Sequence, residues 1–333
     1  MGAPLVGLDL TYTFKKETTF GTAVTNSGTQ IPTEELSIDH QIQAHSLQRA
    51  TGIRGLIQDD QWTDQVGSTP TAAASFYLSE GMMPIIPAVL QYSGVYAAAS
   101  NVTTYTTYNY AKLPDFSASQ GYFYTLMQNS PDGAGQKDAY ITSAIGTSMT
   151  LSIAPDANEG ALYCAMEFAG KSSTTGATIS PVIDSPTVDV LYKWSDITHA
   201  VIGAYDILTD FVSAEWTVAN NAKAVPSAPA QDFALLRWEV TGNFTMLDDS
   251  ANAEALKALA KLSTPAAGIP LVVQWGGPTG GALVNSGDCM ISGLVCLTGY
   301  DVDRSEEAKV TFNWVGAFSS DAASKPFNIS YYA

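Results

Sequence analysis

Charged residues are scarce for a chain of this length. They make up 14% of the 333 residues, whereas hydrophobic residues make up 46%. Soluble domains usually carry about 25% charged residues. A long chain with so little charge is expected to have much of its surface covered by other molecules, such as further copies of itself. The abundant Ser and Thr offer another explanation, since they also solvate a surface.

Positive charge is scarcer still. Lys and Arg number 15 against 32 Asp and Glu, which gives a net charge of −17, and the densest basic stretch is the pair Lys15-Lys16. A protein that binds nucleic acid needs a basic face, so DNA binding is disfavoured. Negative charge suits a surface past which DNA slides without sticking. Solubility or a saline habitat accounts for the charge equally well.

Cysteine and histidine are too few and too scattered for a disulfide framework or a metal site. The three cysteines form no CxxC pair, so they are expected to be small buried hydrophobic residues. None of the three histidines stands in an HExxH pattern. The six residues are Cys164, Cys289, Cys296, His40, His45 and His199.

Catalytic motifs are also missing. No GxSxG is present. The Gly170-Lys171-Ser172 stretch lacks the earlier glycine of a phosphate loop, because Ala165 stands in its place. We therefore expect no enzyme activity, no catalytic or metal-binding residue and no cofactor.

Long apolar runs are absent as well. No stretch of about 18 apolar residues exists that could span a membrane. The first residues lack the basic region and apolar core of a signal peptide. The chain is expected to be made in a cytoplasm, to stay soluble until it assembles, and to have no membrane partner.

Short segments with alternating apolar and polar residues dominate what is present. They lie near residues 36–39, 149–153, 164–168, 216–218, 236–246 and 310–314. A period of two in runs rich in Val, Thr, Ile and aromatic residues predicts strands with one buried face. The sequence therefore predicts a mainly β protein.

Only two segments have helical spacing. The first covers about residues 79–91, where Pro84 and Pro87 confine the regular part. The second covers about residues 250–262, where Ser250 can cap the helix and the apolar residues form one stripe.

The order of elements occurs twice along the chain. Each half has a strand, a long loop, a strand, a helix, an irregular stretch and two strands. Residues 35–38 match 215–218, residues 75–78 match 243–246, and residues 166–170 match 312–316. We interpret this as an internal duplication, with domains at residues 1–175 and 176–333.

Several of these segments resemble the tail tube proteins of long-tailed phages. The similarity begins at residues 17–23, where an acidic residue is followed by Thr, an aromatic residue, Gly and Thr. Residues 34–38 follow, and then comes a polar loop with Arg54 and Trp62. In the second half, residues 211–221 are similar to a strand that ends in Asn-Asn, and residues 237–245 to the strand after the variable loop.

The resemblance implies tandem β-sandwich or barrel-like domains, each with one flanking helix, whose sheets join into an inner β-barrel around a lumen. Tail tubes usually form rings of six domains. Two domains in each chain then imply a trimeric, pseudo-hexameric ring, and a plain hexamer is the alternative. The implied function is a structural virion protein whose stacked rings conduct viral DNA into the host.

The partners implied by the resemblance are further copies of the chain, the tape measure, the tail tip or baseplate, and the terminator. Arg54 and Trp62 in the polar loop are the expected anchors of subunit contacts, since Arg and Trp dominate interface energetics. Phe20 and Asn221 join them as predicted interface residues. Trp62 as a local core residue is an equally good interpretation.

Two other functions fit part of the sequence. A secreted or surface β-sandwich module that binds glycans or proteins would use the 16 tyrosines, but no signal peptide supports it. Another tail ring component, such as a terminator, shares most of the features. Self-polymerisation separates the three: a tube protein forms filaments, a terminator stops at one ring, and a binding module stays small.

Overall fold

The computed structural model describes residues 11–31, 36–39, 42–46, 63–68, 70–90, 94–97, 104–109, 122–129, 138–175, 179, 182–184, 191–226, 231–234, 239–261, 268–277, 283, 285, 287–305, 307–317 and 326–332.

The protein is mainly β, as predicted. The first half of the chain contributes β1 (Thr11–Lys16), β2 (Ser27–Gln30), β3 (Leu36–Asp39), β4 (Ile42–Ser46), β5 (Thr63–Ser68), β6 (Thr71–Tyr77), β7 (Gly94–Ala97), β8 (Thr104–Asn109), β9 (Tyr124–Asn129), β10 (Ala139–Ile153), β11 (Tyr163–Ala169) and β12 (Ser172–Thr175).

The second half contributes β13 (Val182–Asp184), β14 (Ile197–Ile202), β15 (Tyr205–Asp206), β16 (Phe211–Ala219), β17 (Lys223–Pro226), β18 (Gln231–Ala234), β19 (Glu239–Leu247), β20 (Ile269–Trp275), β21 (Cys289–Asp303), β22 (Lys309–Gly316) and β23 (Asn328–Tyr331). The α-helices are α1 (Pro87–Leu90) and α2 (Ala251–Ala260), with short 3-10 segments at Glu80–Ile85, Asn158–Gly160 and Trp194–Asp196.

The largest feature is one antiparallel sheet that runs through both halves. Its strands pair in the order β3-β6-β11-β10-β16-β19-β22-β21. The pairing of β10 with β16, which we call the seam, joins four strands of the first half to four of the second. The sheet is not closed into a barrel within the chain.

One face of this main sheet lies in the hydrophobic core. Strands β16, β19 and β22 bury every second side chain, as their alternating sequences predict. Phe244 stacks on Phe312, with 5.1 Å between ring centroids. The buried residues of both halves form one continuous cluster, so the two halves share a core.

The two longest strands, β10 and β21, connect the main sheet to a second layer of strands. The first part of β10 lies in a sheet of order β13-β2-β1-β9-β10-β12. The first part of β21 lies in a sheet of order β15-β14-β20-β21-β23-β8-β7. Each long strand thus belongs to both layers.

The same pattern of pairings occurs in the two halves. The set β3-β6-β11-β10 in the first half has the same order as β16-β19-β22-β21 in the second. Strands β1-β9-β10-β12 correspond in the same way to β14-β20-β21-β23. Two-stranded hairpins, β4-β5 and β17-β18, follow β3 and β16.

Each long strand contains a β-bulge, and the two bulges lie at matching positions of the two halves. The register shifts between Gly146 and Ser148 in β10, and between Leu297 and Gly299 in β21. The extra residue is a threonine in both cases.

The two bulge threonines make the same hydrogen bond. Thr147 donates to the carbonyl oxygen of Glu167 at 3.2 Å, and Thr298 donates to that of Asn313 at 3.1 Å. These acceptors stand at matching positions of the repeat found in the sequence.

One register differs between the halves. In the first half, Phe76 of β6 lies opposite Cys164 of β11. In the second half, Phe244 of β19 lies opposite Phe312 of β22, which is two residues away from the partner that the sequence matches would give it. A shift by two keeps the same face of the strand buried.

The second predicted helix is confirmed and the first is only partly so. Ser250 caps α2 by accepting a hydrogen bond from the backbone N–H of Ala253 at 3.1 Å. The predicted helix at residues 79–91 is instead a 3-10 segment followed by a single α-turn. Pro84 and Pro87 explain the difference, because proline removes backbone donors that a longer α-helix requires.

The predicted domain boundary at residue 175 remains a prediction. Two strand pairings besides the seam cross between the halves. Strand β13 lies beyond the boundary but pairs in parallel with β2. Strand β23, near the C-terminal end, pairs with β8 of the first half. Together with the seam and the shared core, these pairings tie the halves to each other.

Gly242 lies at a crowded position of the main sheet. A Cβ atom at this position would overlap the carbonyl oxygen of Glu215 and the ring of Trp314. We expect Gly242→Ala to lower the free energy of unfolding by about 1 to 3 kcal/mol, the usual cost of overpacking, in urea denaturation followed by fluorescence.

Gly299 provides the matched control for Gly242. A Cβ atom there would meet nothing within 4 Å, so Gly299→Ala should change stability by less than about 0.5 kcal/mol. Equal unfolding midpoints for the two variants would contradict the packing described for Gly242.

Candidate assembly surfaces

The face of the main sheet that points away from the core is built mostly of small side chains, the majority of them polar. Serine, threonine, alanine and asparagine occupy most of its positions: Thr71, Ala73, Ser75, Ser148, Thr150, Ser152, Ala165, Ser213, Thr217, Ala219, Thr241, Asn243, Thr245, Thr311 and Asn313. We call this surface the polar face. It continues across the seam without interruption.

Hydrogen bonds between neighbouring strands order several side chains of the polar face. The hydroxyls of Thr245 and Thr311 are 2.8 Å apart, and Ser148 donates to the Glu167 carboxylate at 3.1 Å. Across the seam the hydroxyls of Thr150 and Thr217 are 3.3 Å apart. Cross-strand pairs of this kind stabilise a sheet and leave a surface of short, fixed side chains.

The charge of the polar face is negative. Five carboxylates belong to it, those of Glu167, Glu215, Glu239, Asp301 and Asp303, whereas Lys309 is the one cation among the described residues of these strands. Lys309 lies at the start of β22 and is 3.4 Å from Glu307. A phosphate backbone would find almost no positive charge on this surface.

The two long strands differ along one edge. In β10, residues up to Ala144 pair with β9, and residues from Ser148 onward pair with β16. In β21, residues up to Val295 pair with β20 along the corresponding edge. No described residue pairs with that edge of β21 beyond Val295, so within the described chain no strand takes on β21 the place that β16 takes on β10.

An apolar side chain is exposed at this edge of β21. Val302 is 37% exposed, whereas Leu151, which takes the corresponding place after the bulge of β10, is fully buried under the seam. At the other end of the main sheet, β3 pairs with β6 on one side, and no described residue pairs with its other side.

Asn220 locks one end of the seam. Its side chain is fully buried and donates to the carbonyl oxygens of Val89 at 3.0 Å and Gly146 at 2.6 Å. Its carboxamide oxygen accepts from the N–H of Ala222 at 2.9 Å, and its backbone N–H donates to the carbonyl oxygen of Thr147 at 3.0 Å. One side chain thus connects α1, the bulge of β10 and the end of β16.

Asn221, a predicted interface residue, is exposed beside this lock. It has a backbone φ of 50°, in the left-handed region that asparagine tolerates better than most residues. It also lines an open groove of about 670 Å³ on the polar face, together with Thr147 and Glu167. The sequence indicated the Asn-Asn pair but not that Asn220 has the structural role.

Phe20, also predicted at an interface, is half-buried in a local cluster. Its ring lies 4.6 Å from that of Phe123, and the Lys171 ammonium lies 4.4 Å from its centroid. Ala222 packs against the same small cluster, so Phe20 and Asn221 belong to one corner of the molecule. An interface role for both stays a prediction.

The acidic residue that opens the Phe20 segment is a buried anchor. Glu17 accepts hydrogen bonds from the N–H and the hydroxyl of Ser143, both at 2.6 Å, and from the Thr125 hydroxyl at 2.8 Å. The N–H of Gly21 donates to the Ser143 hydroxyl. These contacts hold residues 17–21 against β10, which gives a physical reason for the acidic-Thr-aromatic-Gly phrase.

The other two predicted interface residues lie outside the described part of the chain. Arg54 and Trp62 fall between β4 and β5, within residues 47–62. The structure therefore leaves the role of this loop as a prediction.

The described residues offer little reactive chemistry. They contain no group of three or more side chains arranged to hold a metal ion. Burial raises the pKa of the Cys164 and Cys289 thiols far above its ordinary value, so both stay protonated at neutral pH. Among the same residues, no helix is both long and apolar enough to cross a membrane.

No family model matches the chain, and a search of curated proteins found no match.

The buried hydrogen bonds of Asn220 predict a measurable effect. Replacement by alanine leaves two buried carbonyl groups without their donor, so Asn220→Ala should lower the free energy of unfolding by about 1 to 3 kcal/mol in urea denaturation. Asn221→Gly, which keeps the positive φ accessible, should lower the free energy of unfolding by less than Asn220→Ala does. A larger loss from Asn221→Gly would contradict the assignment of the lock to Asn220.

Proposed function

We propose that this protein is a structural subunit of a phage tail tube. One observation carries the proposal: a single open sheet contains the same four-strand pattern twice, and the outer edge of β3 and the edge of β21 beyond Val295 pair with no described residue. An exposed sheet edge is a liability that proteins cover or pair. Pairing with further copies removes both edges, and the sequence resemblance to tail tube proteins points the same way.

The polar face suits the lining of a DNA conduit. Its five carboxylates repel phosphates, and its short Ser, Thr and Ala side chains offer few groups for DNA to bind. Affinity for nucleic acid comes mainly from Lys and Arg contacts to phosphates, which this face lacks apart from Lys309. DNA would pass along it without specific contacts.

Two tail tube domains in each chain account for the repeated pairings. Three chains would then supply six domains and, with four strands from each domain, a ring of strands larger than any porin barrel. Barrels of about 16 to 18 strands already enclose an aqueous channel, so this ring leaves a wide lumen. A ring of three chains is the assembly we propose, in which the seam recurs between subunits.

The hairpins that follow β3 and β16 are the proposed sites of further contacts between subunits or rings. Strand pairs β4-β5 and β17-β18 stand at corresponding points of the two halves and lie outside the main sheet. We assign them, with Arg54 and Trp62 between β4 and β5, to neighbouring subunits or rings. The tape measure, the tail tip or baseplate and the terminator are the proposed further partners, and the virion tail is the proposed location.

Electron microscopy of the purified protein tests this function. In negative stain over a concentration series, we expect hollow tubes with a regular axial repeat. Isolated rings that never lengthen would favour a terminator. A monomer at every concentration, also after addition of purified tail tips as nuclei, would contradict a tube subunit.

The charge of the lumen can be tested on assembled tubes. Glu167→Lys combined with Glu215→Lys reverses two charges on the polar face, so these tubes should retain short duplex DNA in a sedimentation assay, and salt should release it. Wild-type tubes should retain none.

A second double variant controls for net charge. Asp156→Lys combined with Glu159→Lys makes the same change at the exposed tip between β10 and β11. These tubes should retain much less DNA than the variant of the polar face. Equal retention by the two variants would contradict the placement of the polar face in the lumen.

A further inference from the structure

The seam inside the chain is a template for the contact between chains. We propose that a second copy docks its β3 on the edge of β21 in the register of the seam, so that Val302, Asp301, Tyr300 and Gly299 lie opposite residues 36, 37, 38 and 39 of that copy. This inference deepens the proposed function and rests on it, because it names the two strands that join subunits.

The acceptor edge is defined by comparison of β10 with β21. The bulges align Ser148 with Gly299 and Leu151 with Val302. In β10 this stretch pairs with β16, from Ser148 opposite Ala219 to Ile153 opposite Ala214. In β21 the same stretch pairs only with β22 among the described residues, so no described strand occupies the position on its other side.

The donor strand is defined by comparison of β3 with β16. Leu36 lies opposite Ala74 of β6, and Trp216 lies opposite Gly242 of β19. The next three residue pairs keep the same register in both strand pairs. The last of them lies at the start of β6 in the first half and at the start of β19 in the second. Strand β3 thus stands in the first half where β16 stands in the second, with its outer side unpaired in the described chain.

Transfer of the seam register to these strands gives the proposed pairs. In the seam, Trp216 lies opposite Leu151 and Ala219 lies opposite Ser148. Their counterparts place Leu36 opposite Val302 and Asp39 opposite Gly299. The pairing would cover Val302, which is 37% exposed in the single chain, as the seam covers Leu151.

A register shifted by two positions is the natural competitor, because the β6-β11 and β19-β22 registers differ by two. That register would place Asp39 directly opposite Asp301. Like charges opposite each other destabilise a strand pair. The proposed register instead places Ser37 opposite Asp301.

The contact is head to tail, which allows three copies to close into a ring. Each chain offers one donor edge and one acceptor edge at opposite ends of the same sheet, and different surfaces meet at every contact. Such heterologous contacts form a ring when the rotation closes and a filament when it does not. Closure also removes every unpaired edge of the main sheet.

Engineered cysteines test the register. Gly299→Cys has room for a side chain, since nothing lies within 4 Å of its Cβ position. Combined with Asp39→Cys, it should give disulfide-linked dimers and trimers on a non-reducing gel once the assembled double variant has been mildly oxidised. The single variants show the background from the native cysteines, of which Cys164 and Cys289 are buried.

The pair Asp301→Cys with Asp39→Cys tests the competing register. Cross-links in this pair alone would overturn the proposed register, and cross-links in neither pair would overturn the choice of strands. If tubes form without cross-links in either pair, the inference fails while the proposed function stands. If no variant and no wild-type protein assembles, both fail.

A second set of variants tests the edge without new cysteines. Val302→Lys should raise the concentration needed for assembly at least tenfold, because it buries a charge between the docked strands. Val315→Lys makes the same change at a 40% exposed valine inside the sheet and should assemble like wild type. Urea denaturation should show both variants folded, and equal assembly by both would contradict the proposed joint.

Discussion

The pairing of β10 with β16 is the interaction on which the rest of the structure depends. It turns two sets of four strands into one sheet, and the buried side of that sheet holds a single core. The seam also fixes the polar face as a continuous surface. Asn220 holds it at one end through two buried carbonyl groups. Without the seam, each half would expose an apolar strand edge of the kind that β21 presents at Val302.

The two halves share a pattern of pairings but differ in how they are covered. Hairpin β7-β8 of the first half extends the second layer of the other half by pairing with β23, whereas no described strand covers the outer side of β12, the counterpart of β23. The contact between the two halves of one chain is therefore reinforced by the pairing of β8 with β23. The proposed contact between chains relies on β3 and β21.

Much of the local structure could be predicted from the sequence, and the long-range contacts could not. Alternating residues predicted the strands, and Ser250 with an apolar stripe predicted α2. Pro84 and Pro87 shortened the first helix beyond what apolar spacing indicated. The register shift between the halves and the hydrogen bonds of Asn220 to Val89 and Gly146 depend on neighbours far away along the chain, which no local pattern encodes. Residues 47–62, with two predicted anchors, lie outside the described chain.

If three chains repeat the seam around one ring, each axial repeat of a tube contains three chains. The mass per axial repeat can be measured on unstained tubes by scanning transmission electron microscopy. We expect each repeat to weigh three times the chain mass of 35.2 kDa. A repeat that weighs six times the chain mass would contradict both the two-domain chain and the joint built on its seam.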